Sequence, residues 1–217
     1  MEIRTFTGGG FGENGYLAIC EASKATAAVD PGAGAAQMAE AIVAESLDLK
    51  AILLTHAHLD HVEGVDEIRG VAPEVPIWLH PSDLEMYQGV ARQAAMFGLE
   101  ARPQPAPTDE LAHGQRYEFG ECAFDVRFTP GHASGHVILV AEDQSVALVG
   151  DVVFQGSIGR TDLPGGDLQT LMKSIREEVL TLPDATVLYP GHGPPTTVGH
   201  ERVGNPFLVP HYGGGLA

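Results

Sequence analysis

The stretch that decides the fold is residues 51–61, which read AILLTHAHLDH. Its first four residues are apolar and too few for a helix, so we predict a buried strand. The turn that follows holds His56, His58, Asp60 and His61. Because residues i and i+2 of an extended segment point the same way, the turn directs several of these groups into one pocket. Desolvating such a cluster without partners is costly, and a bound metal ion removes that cost.

Three further candidate ligands each follow an apolar strand and stand beside a glycine. His132 lies in TPGH, Asp151 ends VALVGD, and His192 lies in YPGHG. A glycine allows the tight backbone turn that brings a side chain into a site. The repeated order of strand, glycine and ligand therefore predicts loops at one sheet edge that converge on a common pocket.

The number of candidate ligands predicts two metal ions. The set contains five histidines and two aspartates, whereas one catalytic zinc ion takes three protein ligands and a water. Two ions about 3.5 to 4 Å apart would use all seven ligands if one carboxylate bridged them. Because the set contains no cysteine, we expect divalent ions such as Zn²⁺, with iron or manganese as alternatives.

The composition fits a globular, cytosolic enzyme. The 217 residues include 12 Lys and Arg against 29 Asp and Glu, a formal charge of −17. Such an acidic surface repels phosphate backbones and anionic membranes, so we expect neither nucleic acid nor a membrane as a partner. We also find no basic and apolar signal peptide and no run near the roughly 18 residues of a membrane span. The expected location is cytoplasmic, and the oligomeric state stays open.

The order of the predicted elements indicates two sheets with helices outside. Strands are predicted at 3–7, 16–20, 26–29, 51–54, 76–79, 116–119, 122–128, 137–141, 146–149 and 186–189, and helices at 36–47, 59–71, 81–97 and 167–182. The proline-rich residues 102–107 are the best candidate for an internal boundary. We predict one domain over residues 1–217, with the two sheets packed face to face.

These motifs resemble the metallo-β-lactamase fold superfamily. The resemblance rests on THAHLDH, on Gly-His at 131–132 and 191–192, on Gly-Asp at 150–151, and on VDPG at 29–32. Within the superfamily, the chain looks like the short, single-domain glyoxalase II-like hydrolases. The fold that the resemblance implies is an α/β fold, the αββα sandwich of the metallo-β-lactamase type.

The resemblance also implies how two metals would share the ligands. The first ion would be held by His56, His58 and His132, the second by Asp60, His61 and His192, with Asp151 bridging them. A metal-bridging hydroxide would attack the carbonyl of a thioester such as S-lactoylglutathione, with Asp60 and Asp151 as catalytic residues.

Weaker signals concern the substrate. Residues 156–164, GSIGRTDLP, look like the GRTD stretch of the short hydrolases, and residues 199–208 resemble their ending. The Lys-Phe-Tyr stretch that follows the bridging aspartate in full-length glyoxalase II is absent, which argues against tight glutathione binding. Arg160 would either bind a substrate carboxylate or pair with Asp162.

The main alternative is a persulfide dioxygenase of the same fold. That group resembles this chain in GRTD and at every ligand position, and it would bind one iron through His56, His132 and Asp151. We favour the hydrolase because SIGRTDLPGGD and the terminal NPFL look closer to the short hydrolases. A non-catalytic metal-binding module would not need seven ligands.

Two residues near the candidate ligands have open roles. Asp30 would either orient a ligand histidine or only form the Asp-Pro-Gly turn. His136 lies four residues after His132, and we expect it to pack or to make a supporting hydrogen bond instead of binding metal.

Overall fold

Two six-stranded β-sheets pack face to face in the computed structural model, which describes residues 1–141, 143 and 145–209. The first sheet contains, in order, β1 (Glu2–Gly8), β2 (Glu13–Ile19), β3 (Ala25–Val29), β4 (Asp48–Leu53), β5 (Ile77–Leu79) and β6 (Asp109–Glu110). The second contains β7 (Arg116–Phe119), β8 (Cys122–Phe128), β9 (Val137–Ala141), β10 (Val146–Gly150), β13 (Val187–Pro190) and β14 (Thr196–Thr197) in that spatial order. A small hairpin, β11 (Val153–Phe154) and β12 (Ser157–Ile158), stands apart.

Helices lie on the outer faces of the two sheets, as the predicted αββα sandwich requires. They are α1 (Ala35–Ala44), α2 (Leu59–Val62), α3 (Val65–Val71), α4 (Leu84–Gln88), α5 (Val90–Met96), α6 (Leu168–Ser174) with a π-helical turn (Ile175–Val179), and α7 (Val198–Gly204). None of the helices in the described ranges has the length and apolar character that crossing a membrane requires.

The inner strands are apolar on both faces because each face meets a different core. In β4, Ile52 packs with the helices of the first layer, whereas its neighbour Leu53 packs between the sheets. In β9, Leu139 lies between the sheets, whereas Ile138 packs with Leu171 of α6. A strand buried on both sides gives a continuous apolar run instead of an alternating one, which is why AILL indicates a buried strand.

The predicted helix at 59–71 is wrong as a single element, because the chain breaks at Gly64 between α2 and α3. The amide of Gly64 donates to the carbonyl oxygen of Pro31 (2.9 Å). A Cβ at Gly64 would lie 2.4 Å from the carbonyl oxygen of Gly32, so only glycine allows this approach to the Asp-Pro-Gly turn. Hydrophobic spacing cannot show such a break, since both halves bury the same face.

Two further boundaries differ from the predictions. The segment predicted as a helix at 81–97 is a 3₁₀ turn (Pro81–Asp83) followed by α4 and α5, which meet at Gly89. The proline-rich residues 102–107 do not separate the sheets, because β6 comes after them and still pairs with β5 of the first sheet. Part of the predicted domain, residues 210–217, lies outside the described residues.

The topology brings the ends of strands from both sheets to one edge. In the first sheet β3 runs parallel to β4, and in the second β10 runs parallel to β13. A hydrogen bond from the amide of Val137 to the carbonyl oxygen of Thr55 (2.8 Å) joins the two edges directly. Loops that leave these strand ends therefore meet in space.

The inter-sheet core can be tested at Leu139, which is fully buried. We expect Leu139→Ala to lower the free energy of unfolding by about 2 to 5 kcal/mol, because it removes buried methyl groups and leaves a cavity. Val203→Ala is the matched control, since Val203 is 76 % exposed and its loss should change stability by less than about 0.5 kcal/mol. Urea unfolding of both variants gives the comparison, and equal midpoints would contradict this description of the core.

Candidate metal centre

All seven predicted ligands meet at the edge where strand ends from both sheets converge. The candidate ligand atoms of His56, His58 and His132 lie within 4.8 Å of one another, and so do those of Asp60, His61 and His192. Asp151 lies between the two groups: its Oδ2 is 3.4 Å from His132 Nε2 and 3.5 Å from His192 Nε2. These two groups have the same members as the two ligand sets implied by the family resemblance, and ligation itself stays a prediction.

The first group consists of neutral imidazoles held by burial and by the backbone. His58 Nδ1 lies 2.8 Å from His132 Nε2 and 3.0 Å from His56 Nε2. His132 Nδ1 donates to the carbonyl oxygen of Arg160 (2.8 Å), which leaves its Nε2 unprotonated toward the other rings. Burial lowers the pKa of His58 to about 3 and that of His56 well below its ordinary value. At neutral pH these rings therefore present lone pairs, as metal binding requires.

The second group mixes imidazoles with carboxylates. His61 Nε2 lies 3.4 Å from Asp151 Oδ1, and His192 Nε2 lies 3.3 Å from Asp60 Oδ2. Burial acts to lower the pKa of His192, but the neighbouring carboxylates of Asp151 and Asp60 outweigh burial and raise that pKa to about 10. A metal ion that takes these nitrogens as ligands displaces their protons, so binding here is coupled to proton release.

Asp30 has both roles that the sequence left open. Its φ of +46° places it in the turn after β3, and its Oδ1 accepts a hydrogen bond from the amide of Thr55 (2.7 Å). Its Oδ2 accepts from Thr55 Oγ1 (2.6 Å) and lies 3.0 Å from His61 Nδ1. One buried carboxylate therefore fixes the start of the histidine-rich turn and the ring of its last histidine.

His136 supports the centre through the backbone. Its Nε2 accepts a hydrogen bond from the amide of Asp151 (3.1 Å), and its Nδ1 lies 3.0 Å from Thr129 Oγ1. Gly150 has a φ of +45°, and a Cβ there would lie 2.7 Å from His136 Nε2, so glycine is needed before Asp151. The expected supporting hydrogen bond is what the structure shows.

The donor set fits divalent metal ions. Among the described residues, His61 Nε2 and Asp151 Oδ1 are buried without a hydrogen-bond partner although they face each other. Unpartnered buried polar atoms are rare and costly in folded proteins, and coordination to a cation satisfies both. Imidazole nitrogens together with carboxylate oxygens suit zinc, iron and manganese.

Sequence reasoning missed Asp83, a buried carboxylate that joins two ligand loops. Its Oδ2 accepts a hydrogen bond from the amide of Ala57 (3.0 Å), between His56 and His58, and its Oδ1 accepts from the amide of Gly135, three residues after His132. Burial raises the pKa of Asp83 to about 6. In the sequence, Pro-Ser-Asp before an apolar segment indicates only a helix start, so no local signal shows this contact.

Gln93 of α5 was also missed and ties that helix to the histidine-rich turn. Its Oε1 accepts a hydrogen bond from the amide of Leu59 (3.1 Å), and its Nε2 donates to the carbonyl oxygens of Ala57 (2.8 Å) and Met86 (3.0 Å). The position of α5 and the backbone of the turn are therefore coupled.

A cleft, which we call the metal cleft, lies over the candidate ligands and is lined by Asp60, Asp151 and His192 among others. Arg160 also lines it, but its side chain is bonded within the protein. Its guanidinium makes two hydrogen bonds to the Asp162 carboxylate (2.7 and 2.8 Å), and its side chain is 54 % exposed. This is the second alternative for Arg160, the pair with Asp162. Its binding to a substrate stays a prediction, since the side chain also lines the cleft.

An αββα sandwich whose strand-end loops carry a histidine and aspartate cluster defines a class of metal-dependent hydrolases. The chain belongs to the metallo-β-lactamase superfamily, because the model of that superfamily matches residues 8–192.

Relatives of similar length support this membership. The chain is 40 % identical over 182 residues to the probable metallo-hydrolase YqgX of Bacillus subtilis, covering 82 % of this chain and 85 % of that protein. It is 38 % identical over 192 residues to the hydroxyacylglutathione hydrolase GloC of Haemophilus influenzae, covering 88 % and 90 %. The crystal structure of TTHA1623 in a di-iron-bound form superposes with a TM-score of 0.86 at 38 % identity, covering 94 % of this chain and all of that one.

The contact made by Asp83 can be tested by mutation. We expect Asp83→Ala to lower the free energy of unfolding by about 1 to 3 kcal/mol for each of the two buried amides that it leaves unpaired. Asp48→Ala is the matched control, because Asp48 forms an exposed pair with Lys50 that is worth at most about 1 kcal/mol. Thermal and denaturant unfolding measure both, and similar losses in the two variants would show that Asp83 does not join the loops.

Proposed function

We propose that this protein is a hydrolase that uses two divalent metal ions to cleave a small thioester. The observation that carries the proposal is the position of Asp151, whose carboxylate lies within 3.5 Å of ring nitrogens from both ligand groups. A carboxylate shared by two neighbouring sets of ligands is typical of two-metal hydrolytic centres. Similarity to a protein named hydroxyacylglutathione hydrolase supports the thioester as the substrate class.

Seven side chains of the protein would hold the two metal ions. The first ion would be held by His56, His58 and His132, the second by Asp60, His61 and His192, with Asp151 shared. When bound, the two ions lower the pKa of a water molecule and stabilise the oxyanion that forms at the attacked carbonyl. Zinc is our first choice, and iron is supported by the di-iron-bound neighbour.

Side chains at the cleft have roles of their own in this proposal. Asp60 lines the cleft, and its Oδ2 lies 3.3 Å from His192 Nε2, so this carboxylate would hold the second ion and help to orient the attacking water. His192 Nδ1 donates to the carbonyl oxygen of Phe11 (3.2 Å), which keeps its Nε2 directed at Asp60. A thiolate leaves readily, so the leaving group needs no dedicated acid.

The remaining expectations extend the same proposal. We infer that the protein acts as one domain on a small molecule in the cytoplasm, with neither nucleic acid nor membrane as a partner. The charge of −17 supports the part of this inference that concerns nucleic acid and membranes, because an acidic surface repels polyanions.

Removing a ligand of the second group should abolish thioester cleavage. We expect Asp60→Ala and His192→Ala each to lower kcat/KM for S-lactoylglutathione by more than about 100-fold, because these side chains would hold the second ion. A chelator should have the same effect on the unmutated protein, and adding back Zn²⁺ or Fe²⁺ should restore activity. Asp48→Ala is the control. Full turnover by Asp60→Ala would refute the two-metal hydrolase.

The dioxygenase alternative can be distinguished from the hydrolase by the reaction that the protein catalyses and by the effects of the ligand variants. It needs only His56, His132 and Asp151, of which Asp151 and His132 lie 3.4 Å apart. Oxygen uptake with glutathione persulfide and hydrolysis of S-lactoylglutathione would be measured on iron-loaded and zinc-loaded protein. We expect hydrolysis without oxygen uptake. Oxygen uptake that survives Asp60→Ala and His192→Ala but not His132→Ala would favour a single-iron oxygenase.

A further inference from the structure

A second cavity opens beside the metal cleft, between helices α4 and α5 and residues 163–165. It has a volume of about 350 Å³, whereas the cleft has about 150 Å³. Both are lined by His58, Gln93, Phe97 and Leu163. A molecule held at the candidate metal centre can therefore extend past these shared residues into the second cavity, which we call the side pocket.

The walls of the side pocket are largely apolar. They include Met86, Met96, Phe97, Leu163 and Pro164. Met96 is 68 % exposed and Phe97 is 46 % exposed. Exposed apolar side chains that surround an opening mark ligand-binding grooves. An aliphatic group that covers them would remove this apolar surface from water.

Phe11 extends the apolar surface toward the cleft. Its ring packs edge-to-face against Phe97, with ring centroids 5.3 Å apart, and Phe11 also lines the cleft with His192. Apolar contact is therefore continuous from the candidate metal centre to the side pocket.

The polar residues of the side pocket carry no net charge. Arg92 and Glu85 both line it, and within the described ranges neither side chain has a hydrogen bond or an ion pair. One cation and one anion in the same small cavity give no long-range preference for a charged ligand. The lining therefore gives no net long-range attraction for an anionic chain.

The wall formed by α5 is fixed before any ligand binds. Gln93 joins this helix to Ala57 and Leu59 of the histidine-rich turn, and Asp83 holds the preceding turn to Ala57 and Gly135. A preformed cavity loses little entropy when a ligand enters. The length of a ligand's aliphatic chain should therefore directly change the affinity with which the side pocket binds it.

We propose that the side pocket binds an aliphatic chain of the thioester substrate. This inference rests on the proposed function and specifies its substrate class. The aliphatic chain belongs either to the acyl group of the thioester or to its thiol, and the experiment distinguishes these two sources.

Two series of thioesters test the proposal with the metal-loaded full chain. One series lengthens the acyl group from acetyl to octanoyl on N-acetylcysteamine, and the other lengthens the alkane thiol of an acetyl thioester. We expect kcat/KM to rise about fourfold per added methylene in one series until the cavity is filled. A flat response in both series would overturn the proposal.

Variants of the lining residues test whether the dependence of kcat/KM on chain length arises in the side pocket. Ser82 and Met96 both line the side pocket. Ser82→Phe should fill the side pocket and Met96→Ala should remove part of its wall, so both should flatten the rise of kcat/KM with chain length. Val203→Ala is the matched control and should keep the full rise. Thermal unfolding checks that each variant folds. If kcat/KM still rises with chain length in both folded pocket variants, the aliphatic chain of the substrate binds outside the side pocket and the proposal is overturned.

A charged substrate gives a different result. If succinyl-N-acetylcysteamine were cleaved faster than butanoyl-N-acetylcysteamine, and Arg92→Met removed that advantage, the pocket would be an anion site and the aliphatic proposal would be wrong. We expect butanoyl to be preferred and Arg92→Met to leave that preference in place.

Binding measurements distinguish this proposal from the proposed function. Ketone analogues, in which CH₂ replaces the thioester sulfur, cannot be hydrolysed, and calorimetry measures their affinity. Affinity that rises with chain length and is lost in Ser82→Phe supports the pocket even if no thioester is cleaved, in which case only the proposed function fails. Thioester cleavage with no dependence on chain length refutes the pocket alone.

Discussion

Buried imidazole and carboxylate groups need partners, and this requirement organises the edge where the two sheets meet. Asp151 lies within 3.5 Å of ring nitrogens from His61, His132 and His192, which come from three separate segments of the chain. In a low-dielectric interior, such groups interact strongly when paired and are costly when left alone. These segments therefore converge with their polar atoms facing one another, and a cation would satisfy the two facing atoms that lack a hydrogen-bond partner, His61 Nε2 and Asp151 Oδ1.

A surrounding layer of polar residues keeps the loops in this arrangement. Three of these residues bond to the backbone on either side of His56: Asp30 at Thr55, and Asp83 and Gln93 at Ala57. The fourth, His136, accepts a hydrogen bond from the amide of Asp151 itself. Contacts of this kind orient metal ligands in other metal centres, and here they orient the candidate ligands. The same contacts fix α5, so that the candidate metal centre and the apolar pocket beside it form one preorganised surface.

The strongest predictions came from residues whose chemistry is concentrated locally. Three histidines and an aspartate within residues 56–61 indicated a metal site, and Gly150 before Asp151 indicated a tight turn. The breaks at Gly64 and Gly89 were not predicted, because an apolar period continues across them. The two-residue strand β6 was missed as well, since so short a segment has no periodicity and is defined only by its pairing with β5.

The sequence by itself determined the αββα architecture, the superfamily and the seven candidate ligands, because these depend on apolar runs and on residue types that are visible along the chain. Only the tertiary structure showed that Asp83 joins two ligand loops and that Met96 and Phe97 border a cavity beside the cleft. It also decided that Arg160 pairs with Asp162 although it lines the cleft. These features depend on distances between segments far apart in the chain, and such distances are set by the packing of the two sheets and not by any local pattern.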